Sequence, residues 1–356
     1  MTMLSGLKVF DFTQYLPGPY ATLRLADLGA DVIKIERPGG DPARSLSGGK
    51  VFEANNRGKK SIVVDLKDRE EQRNLVQLLQ EADVIIESFR PGVMASLGLG
   101  YEQLANQNPG LIYCSLSGYG QAGTLSKLGS HDINYMALSG VLSQLKDQNG
   151  RPVHPSITFA DLIGGMAASE AILAAAFKRE RSGEGSYIDL AMTDVVMSLL
   201  TNHVLYEGGR GVPSLTGDIV SYHLYETKDG RFMSMGALEL KFWQNFCFAL
   251  ERPDWVEHHF SPVREDNPVY KEVCAKFRSK TFAEWIEFSE KIDCCMAPVL
   301  EIEESIHSTY NKERQRIFSA PWKTLQVKTA PQSVALTEPP ELNEHHEKTY
   351  LSTNKK

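Results

Sequence analysis

The sequence predicts an α/β protein: a large domain on a mostly parallel sheet, then a smaller α/β domain. Two observations carry this. From Leu7 to Leu116 short apolar segments alternate with helical ones, the rhythm of a parallel sheet with helices on both faces. Past Gly208 the pattern changes to a hairpin followed by helices.

In chain order, Leu7–Phe12 (LKVFDF) is a short strand and Leu16-Pro17-Gly18-Pro19 a turn. Tyr20–Leu28 has apolar residues at helical spacing and is stopped by Gly29. Asp31–Ile35 and Ser61–Leu66 are the next strands, Arg69–Glu81 is a one-faced helix, and Asp83–Ile86 and Leu111–Leu116 are strands of buried type. Ala160–Lys178 is a long helix rich in small residues, which let another backbone or a ligand come close. Arg179–Gly185 is a charged turn, Ser186–Leu190 a strand and Thr193–Glu207 a further helix. Gly208–Gly217 is a Gly/Pro/Ser-rich linker. His223–Glu226 and Arg231–Met235 form a hairpin about an Asp229-Gly230 turn, with helices near Leu240–Leu250, Asn267–Phe277 and Phe282–Lys291. The tail, Pro321–Lys356, is broken by Pro331, Pro339 and Pro340 and reads as extended. The domains are therefore 1–207 (large), 208–219 (linker), 220–318 (small) and 319–356 (C-terminal segment).

With 356 residues, 42% hydrophobic and 23% charged, the chain can bury a large core, and its length suggests two domains. The net charge of −7 argues against a general nucleic-acid binder. Five cysteines without regular spacing, two of them adjacent (Cys294 and Cys295), read as reduced thiols. No cysteine–histidine spacing suggests a metal site. Met1–Phe12 lacks the apolar core of a signal peptide, and no uninterrupted apolar stretch of about 18 residues suggests a membrane span. Together these predict a cytoplasmic protein.

Three features point to chemistry. The first is a group of cations: Asn56-Arg57-Gly58-Lys59-Lys60-Ser61 and Lys67, with Arg37 before and Arg90 after. Arg37, Lys67 and Arg90 each follow a predicted strand, where open α/β sheets bind ligands, and such a set suits a polyphosphate. Its other reading is a solvated basic loop. No G-x-G-x-x-G follows the first strand and no P-loop is present, so NAD and ATP lose support. The second is His131, in a polar turn before an apolar helical run; it serves as a general base or merely caps the helix. The third is Asp161, opening the small-residue helix one turn before Gly164-Gly165; it is a cap, or a nucleophile or base beside bare backbone. Glu239, at the end of the small-domain hairpin, has a surface role by default.

Taken together these stretches resemble the family III coenzyme A transferase superfamily, and within it the α-methylacyl-CoA racemase branch. The resemblance runs nearly end to end. It rests on Leu4–Val9, Gly18-Pro19, Ala26–Ile33, Glu36-Arg37-Pro38, Asn56–Lys59, Phe89–Val93, Leu97–Tyr101, Ser117–Gln121, His131-Asp132-Ile133-Asn134-Tyr135 and Pro298-Val299. Pro340–His345 resembles the closing motif, with Asn343 where Gly is usual.

The resemblance implies a Rossmann-like large domain, a smaller domain, a C-terminal segment returning to the large domain, and an interlocked homodimer. It implies an acyl-CoA substrate, with coenzyme A arriving as part of that substrate and no separate cofactor, near Arg37, Val64, Leu66, Lys67, Phe89 and Arg90. Many relatives carry Arg where this chain has Ser96, which puts one phosphate contact in doubt. The acyl end would point toward the small domain of the second copy. In the transferases the residue matching Asp161 is a nucleophile that forms an acyl anhydride. In the racemase branch the residues matching His131 and Asp161 are acid/base groups on opposite faces of the α-carbon, and that matching Glu239 supports the Asp. Formyl-CoA-type transferases carry Gln where this chain has Leu16, and use a small-domain glycine run not found here. Both details favour the racemase, with the CoA-transferase as the alternative.

Overall fold

The structure, a computed structural model, describes residues 2–147, 149–330 and 337–346. Contacts divide the chain into two units, one formed by Met1–Leu199 with Arg316–Lys356, the other by Leu200–Gln315.

The first unit is built on six parallel strands: β1 Lys8–Phe12, β2 Asp31–Glu36, β3 Lys60–Val63, β4 Val84–Glu87, β5 Ile112–Ser117 and β6 Ser186–Ala191, ordered β3-β2-β1-β4-β5-β6. This is the doubly wound Rossmann order, which reverses between β1 and β4 and opens a crevice there, beyond the strands' C-terminal ends. Side chains alternate across the strands. Val9 and Val32 pack into a core with helices α1 (Pro17–Asp27), α6 (Asp132–Leu138), α7 (Phe159–Ser182) and α8 (Met192–Met197). Phe10, Phe12, Ile33 and Ile35 pack on the other face against α3 (Arg69–Leu79), α4 (Val93–Ser96) and α5 (Tyr101–Ala105). A short helix, α2 (Lys50–Asn56), precedes β3.

The long helix α7 explains its small residues. A Cβ on Gly165 would lie 2.5 Å from the Pro17 carbonyl of α1, and one on Gly164 would lie 2.7 Å from Met192. Larger residues would force α1 and α8 away. By length and composition α7 is apolar enough to cross a membrane, a property the unbroken-stretch criterion missed because Asp161 and Glu170 interrupt it. Its Ala160, Gly164, Gly165, Ala168 and Ile172 are buried in the first unit's core.

The second unit holds an antiparallel sheet β7-β8-β9 (Tyr222–Glu226, Phe232–Gly236, Met296–Pro298) and the helices α9 Leu240–Ala249, α10 Pro268–Phe277 and α11 Phe282–Lys291. Trp243, Trp255 and Trp285 fill its core. The indole N–H of Trp243 donates to Trp255 O and that of Trp285 to Phe277 O, each at 2.9 Å, so each buried ring keeps its polar atom paired.

Three expectations change. The helix over Thr193–Glu207 stops at Met197 and gives way to short 3₁₀ turns, one of which holds Gly208 at φ +73°. The charged turn after Lys178 is instead the last turn of α7, where Arg179 and Arg181 face the negative end of the helix dipole. The tail is not simply extended: Leu325–Val327 (β11) pairs with Ile317–Ser319 (β10), while 331–336 and 347–356 lie outside the described residues.

The closing motif lies along β3, an edge of the sheet. Asn343 Oδ1 accepts from Val63 N–H at 2.7 Å, and His345 N–H donates to Ser61 O at 3.0 Å. Asn343 has φ +63°, a left-handed conformation that Asn tolerates and Gly suits, which accounts for the exchange at this position.

Candidate active site

Two adjoining cavities open in the first unit beyond the sheet's C-terminal edge. The first, about 440 Å³, is lined by Arg37, Val64, Leu66, Lys67 and Phe89, together with Ser96. Five of the six residues expected to meet coenzyme A therefore share one cavity. The Ser96 hydroxyl is engaged inside α4, donating to Val93 O at 2.7 Å. The second cavity, about 650 Å³, holds the sixth residue, Arg90, with His131, Asp161 and Leu16 on its walls. Gln14 and Phe89 border both.

The placement follows from the chain. Arg37 comes directly after β2, Leu66 and Lys67 shortly after β3, and Phe89 and Arg90 shortly after β4, so the parallel sheet delivers all of them to one edge. His131 and Asp161 come from helix N-termini. His131 is the N-cap of α6, with its N–H donating to Asn134 Oδ1 at 3.0 Å. His131 thus holds the cap position, with its own N–H bound by Asn134, and its ring lines the cleft. Asp161 sits in the first turn of α7, and its N–H donates to Asp132 Oδ1 at 3.0 Å, which ties the two helix starts together. Burial, with the charge of Asp132 adding to it, pushes the Asp161 carboxyl up to about 7. It can therefore exchange a proton near neutrality.

Glu239 belongs to the second unit, where it is exposed and immediately precedes α9.

The basic cluster at 56–61 is neither a phosphate cradle nor a solvated loop. Arg57 is buried, with an Nη on Asp27 Oδ2 at 2.7 Å and further bonds to Gln326 Oε1 and Val327 O. Lys59 is buried with Nζ on Asp11 Oδ2 at 3.1 Å, Pro19 O at 2.9 Å and Asn56 Oδ1 at 2.8 Å. Burial pulls its pKa down to about 8 against the pull of Asp11. Lys60 pairs with Asp31 at 2.7 Å. The partners lie far away in sequence on β1, α1 and β2, so charge spacing alone could not reveal them.

Two groups went unnoticed in the sequence. Asp132 shows in the sequence only as a member of the stretch His131–Tyr135. Glu87, 4% exposed at the end of β4, accepts from Phe89 N–H at 2.7 Å, and burial pushes its carboxyl up to about 7 with Asp189 adding. It lines a third cavity, of about 320 Å³, that also touches Arg90. An acid ending an otherwise apolar strand (VIIE) was the available signal.

A family model described as CoA-transferase family III matches residues 4–346. The chain belongs to CoA-transferase family III. Among curated members, it is 37% identical to the alpha-methylacyl-CoA racemase of Homo sapiens over 92% of this chain and 86% of that protein. It is 34% identical to the succinyl-CoA:glutarate CoA-transferase of Mus musculus over 80% of this chain and 69% of that one. Both activities thus occur among family III relatives of similar identity. A crystal structure of a Mycobacterium tuberculosis protein matches with TM-score 0.86 and 30% identity, covering 98% of this chain and 99% of that one. One of a CaiB/BaiF family protein from Brucella suis matches with TM-score 0.84 and 26% identity, covering 99% of each. Both solved structures therefore share this architecture over nearly the whole chain.

Proposed function

We propose that this enzyme is a 2-methylacyl-CoA racemase. The observation that carries the reading is that His131 and Asp161 line one cleft, with Asp161 raised to about 7, beside a cavity bordered by Arg37 and Lys67. One of the pair removes the α-proton of the thioester, the electron pair moves onto the carbonyl as an enolate, and the other returns a proton to the opposite face. Two bases of different type permit the reaction in both directions, and a carboxyl poised near neutrality serves as either acid or base. The adenine and phosphates of coenzyme A occupy the first cavity through Arg37, Val64, Leu66, Lys67 and Phe89, with Arg90 reaching them from the adjoining one, and no separate cofactor takes part. The protein works as an interlocked cytoplasmic homodimer, in which Glu239 of the second copy supports Asp161.

The second reading is a CoA-transferase in which Asp161 attacks the thioester carbonyl. Its support is the transferases among the relatives. Against it, a carboxyl held near 7 is partly protonated at neutral pH and is a poorer nucleophile. The test is incubation of a 2-methylacyl-CoA with the enzyme in D₂O, with and without a free acid as acceptor. Deuterium entering the α-position without acyl transfer supports the racemase; transfer without exchange overturns it.

A further inference from the structure

The loop Thr13–Pro17 leaves β1 and walls both cavities. Gln14 borders the two together, whereas Tyr15, Leu16 and Pro17 face the cleft that holds His131 and Asp161. Tyr15 has φ +65°, the left-handed region that a bulky L-residue enters only when its surroundings impose it. Its side chain is also large and apolar, yet Tyr15 is 49% exposed. Packing does not explain that combination.

The buried side chains beneath the loop do. Lys34 Nζ donates to Thr13 O at 2.8 Å. Asp11 Oδ1 accepts from Thr13 N–H at 2.9 Å and from its hydroxyl at 2.5 Å. Asp41 Oδ1 accepts from Tyr15 N–H at 3.1 Å and from Ala43 N–H at 2.9 Å. Lys34 and Asp41 are themselves ion-paired at 3.0 Å, and both are buried. Asp41 is fixed in turn through its N–H, which donates to Glu36 Oε2 at 2.8 Å, and Arg44 grips both oxygens of Glu36. The loop is thus pinned at Thr13 and at Tyr15 by ionised groups on β1, β2 and the turn after β2, and none of these pinning groups lines the cleft. Charges buried in this way are costly unless every contact is made, so the loop has little freedom to relax.

We infer that Tyr15 is a positioning residue whose ring walls the acyl-thioester end of the substrate, and that the Asp41–Lys34 pair holds its backbone in the strained conformation this requires. The inference rests on the acyl-CoA reading of the cleft and goes beyond it by assigning a contact on the acyl side of the sulfur. It names a specificity element that reads the acyl group and leaves the nucleotide end untouched.

The test compares the dissociation constant of free coenzyme A with that of a 2-methylacyl-CoA, by calorimetry, in the wild type and in Tyr15→Ala, Tyr15→Phe and Tyr15→Gly. The expected result is tighter binding of the acyl-CoA than of coenzyme A in the wild type. That increment falls by about tenfold in Tyr15→Ala, is kept in Tyr15→Phe, and the coenzyme A constant is the same in all. A second readout is thermal unfolding. Tyr15→Gly melts above Tyr15→Ala, the reverse of the usual order, because Gly alone is unstrained at this φ. An increment unchanged in Tyr15→Ala, or lost equally in Tyr15→Phe, overturns the ring's role, and Tyr15→Gly melting below Tyr15→Ala overturns the strain. Failure of the wild type to bind coenzyme A at all is a different result and removes the acyl-CoA reading itself.

Discussion

Replacing Asp161 by Asn separates what the carboxylate does for chemistry from what it costs the fold. In the unfolded chain the carboxyl ionises at its ordinary 3.8, and in the folded protein at about 7. Between those values the native state binds more protons than the unfolded state, so this group's contribution to stability falls as pH rises through the window and is least favourable above it. The full difference corresponds to about 4 kcal/mol. Two features reduce it: the first turn of α7 favours an anion, and the side chain keeps partial contact with water, leaving about 1–3 kcal/mol. Asp161→Asn removes the charge and keeps the shape. Urea unfolding should find the variant and the wild type alike within about 0.5 kcal/mol at about pH 4, and the variant more stable by about 1–3 kcal/mol at about pH 8. Turnover should be lost at both. An equal difference at the two pH values, or a variant weaker at the higher one, would refute the argument, because the carboxylate would then be paired in the native state instead of desolvated.

Further outcomes follow from the same geometry. His131→Ala should slow α-proton exchange by about 10²–10⁴-fold while sparing coenzyme A affinity, measured by deuterium uptake and calorimetry. Gly165→Val places side-chain atoms on the Pro17 carbonyl, so it should lose about 1–3 kcal/mol in urea unfolding and also lose activity, since α7 carries Asp161. Arg57→Ala leaves Asp27 buried opposite no cation and frees Gln326 and Val327, and should cost about 3–5 kcal/mol, seen as a large fall in Tm.

Much of this architecture was legible in the residues because parallel strands buried on both faces read as short apolar runs, as Val84–Ile86 and Ile112–Leu116 do. The cavity residues were legible for a related reason: parallel strands send the residues after them to one edge, so Arg37, Lys67 and Arg90 could be grouped without knowing the register. What failed was anything decided by a distant partner. Lys34, Arg57 and Lys59 look like surface cations in sequence, and only Asp41, Asp27 and Asp11 make them interior. The end of α8 failed because apolar spacing continues past Met197 while the backbone does not. Tyr15 failed because a positive φ leaves no mark on spacing, whereas Glu87 did leave one, as the acid ending the apolar strand VIIE.

The return of the C-terminal segment to the first unit has a consequence for how the protein is made. Asp27 and Arg57 leave the ribosome early, but Gln326, Val327 and Thr329, which bond to them, come only after the whole second unit. Asn343 and His345, which lie along the edge of β3, come later still. During synthesis the large unit therefore waits with β3 uncovered and the Asp27–Arg57 pair short of the bonds that Gln326, Val327 and Thr329 supply, while the second unit already has everything its core needs. A chain ended before residue 316 would be expected to yield a folded second unit and an aggregating first one. The segment after the second unit thus completes contacts that the first residues begin.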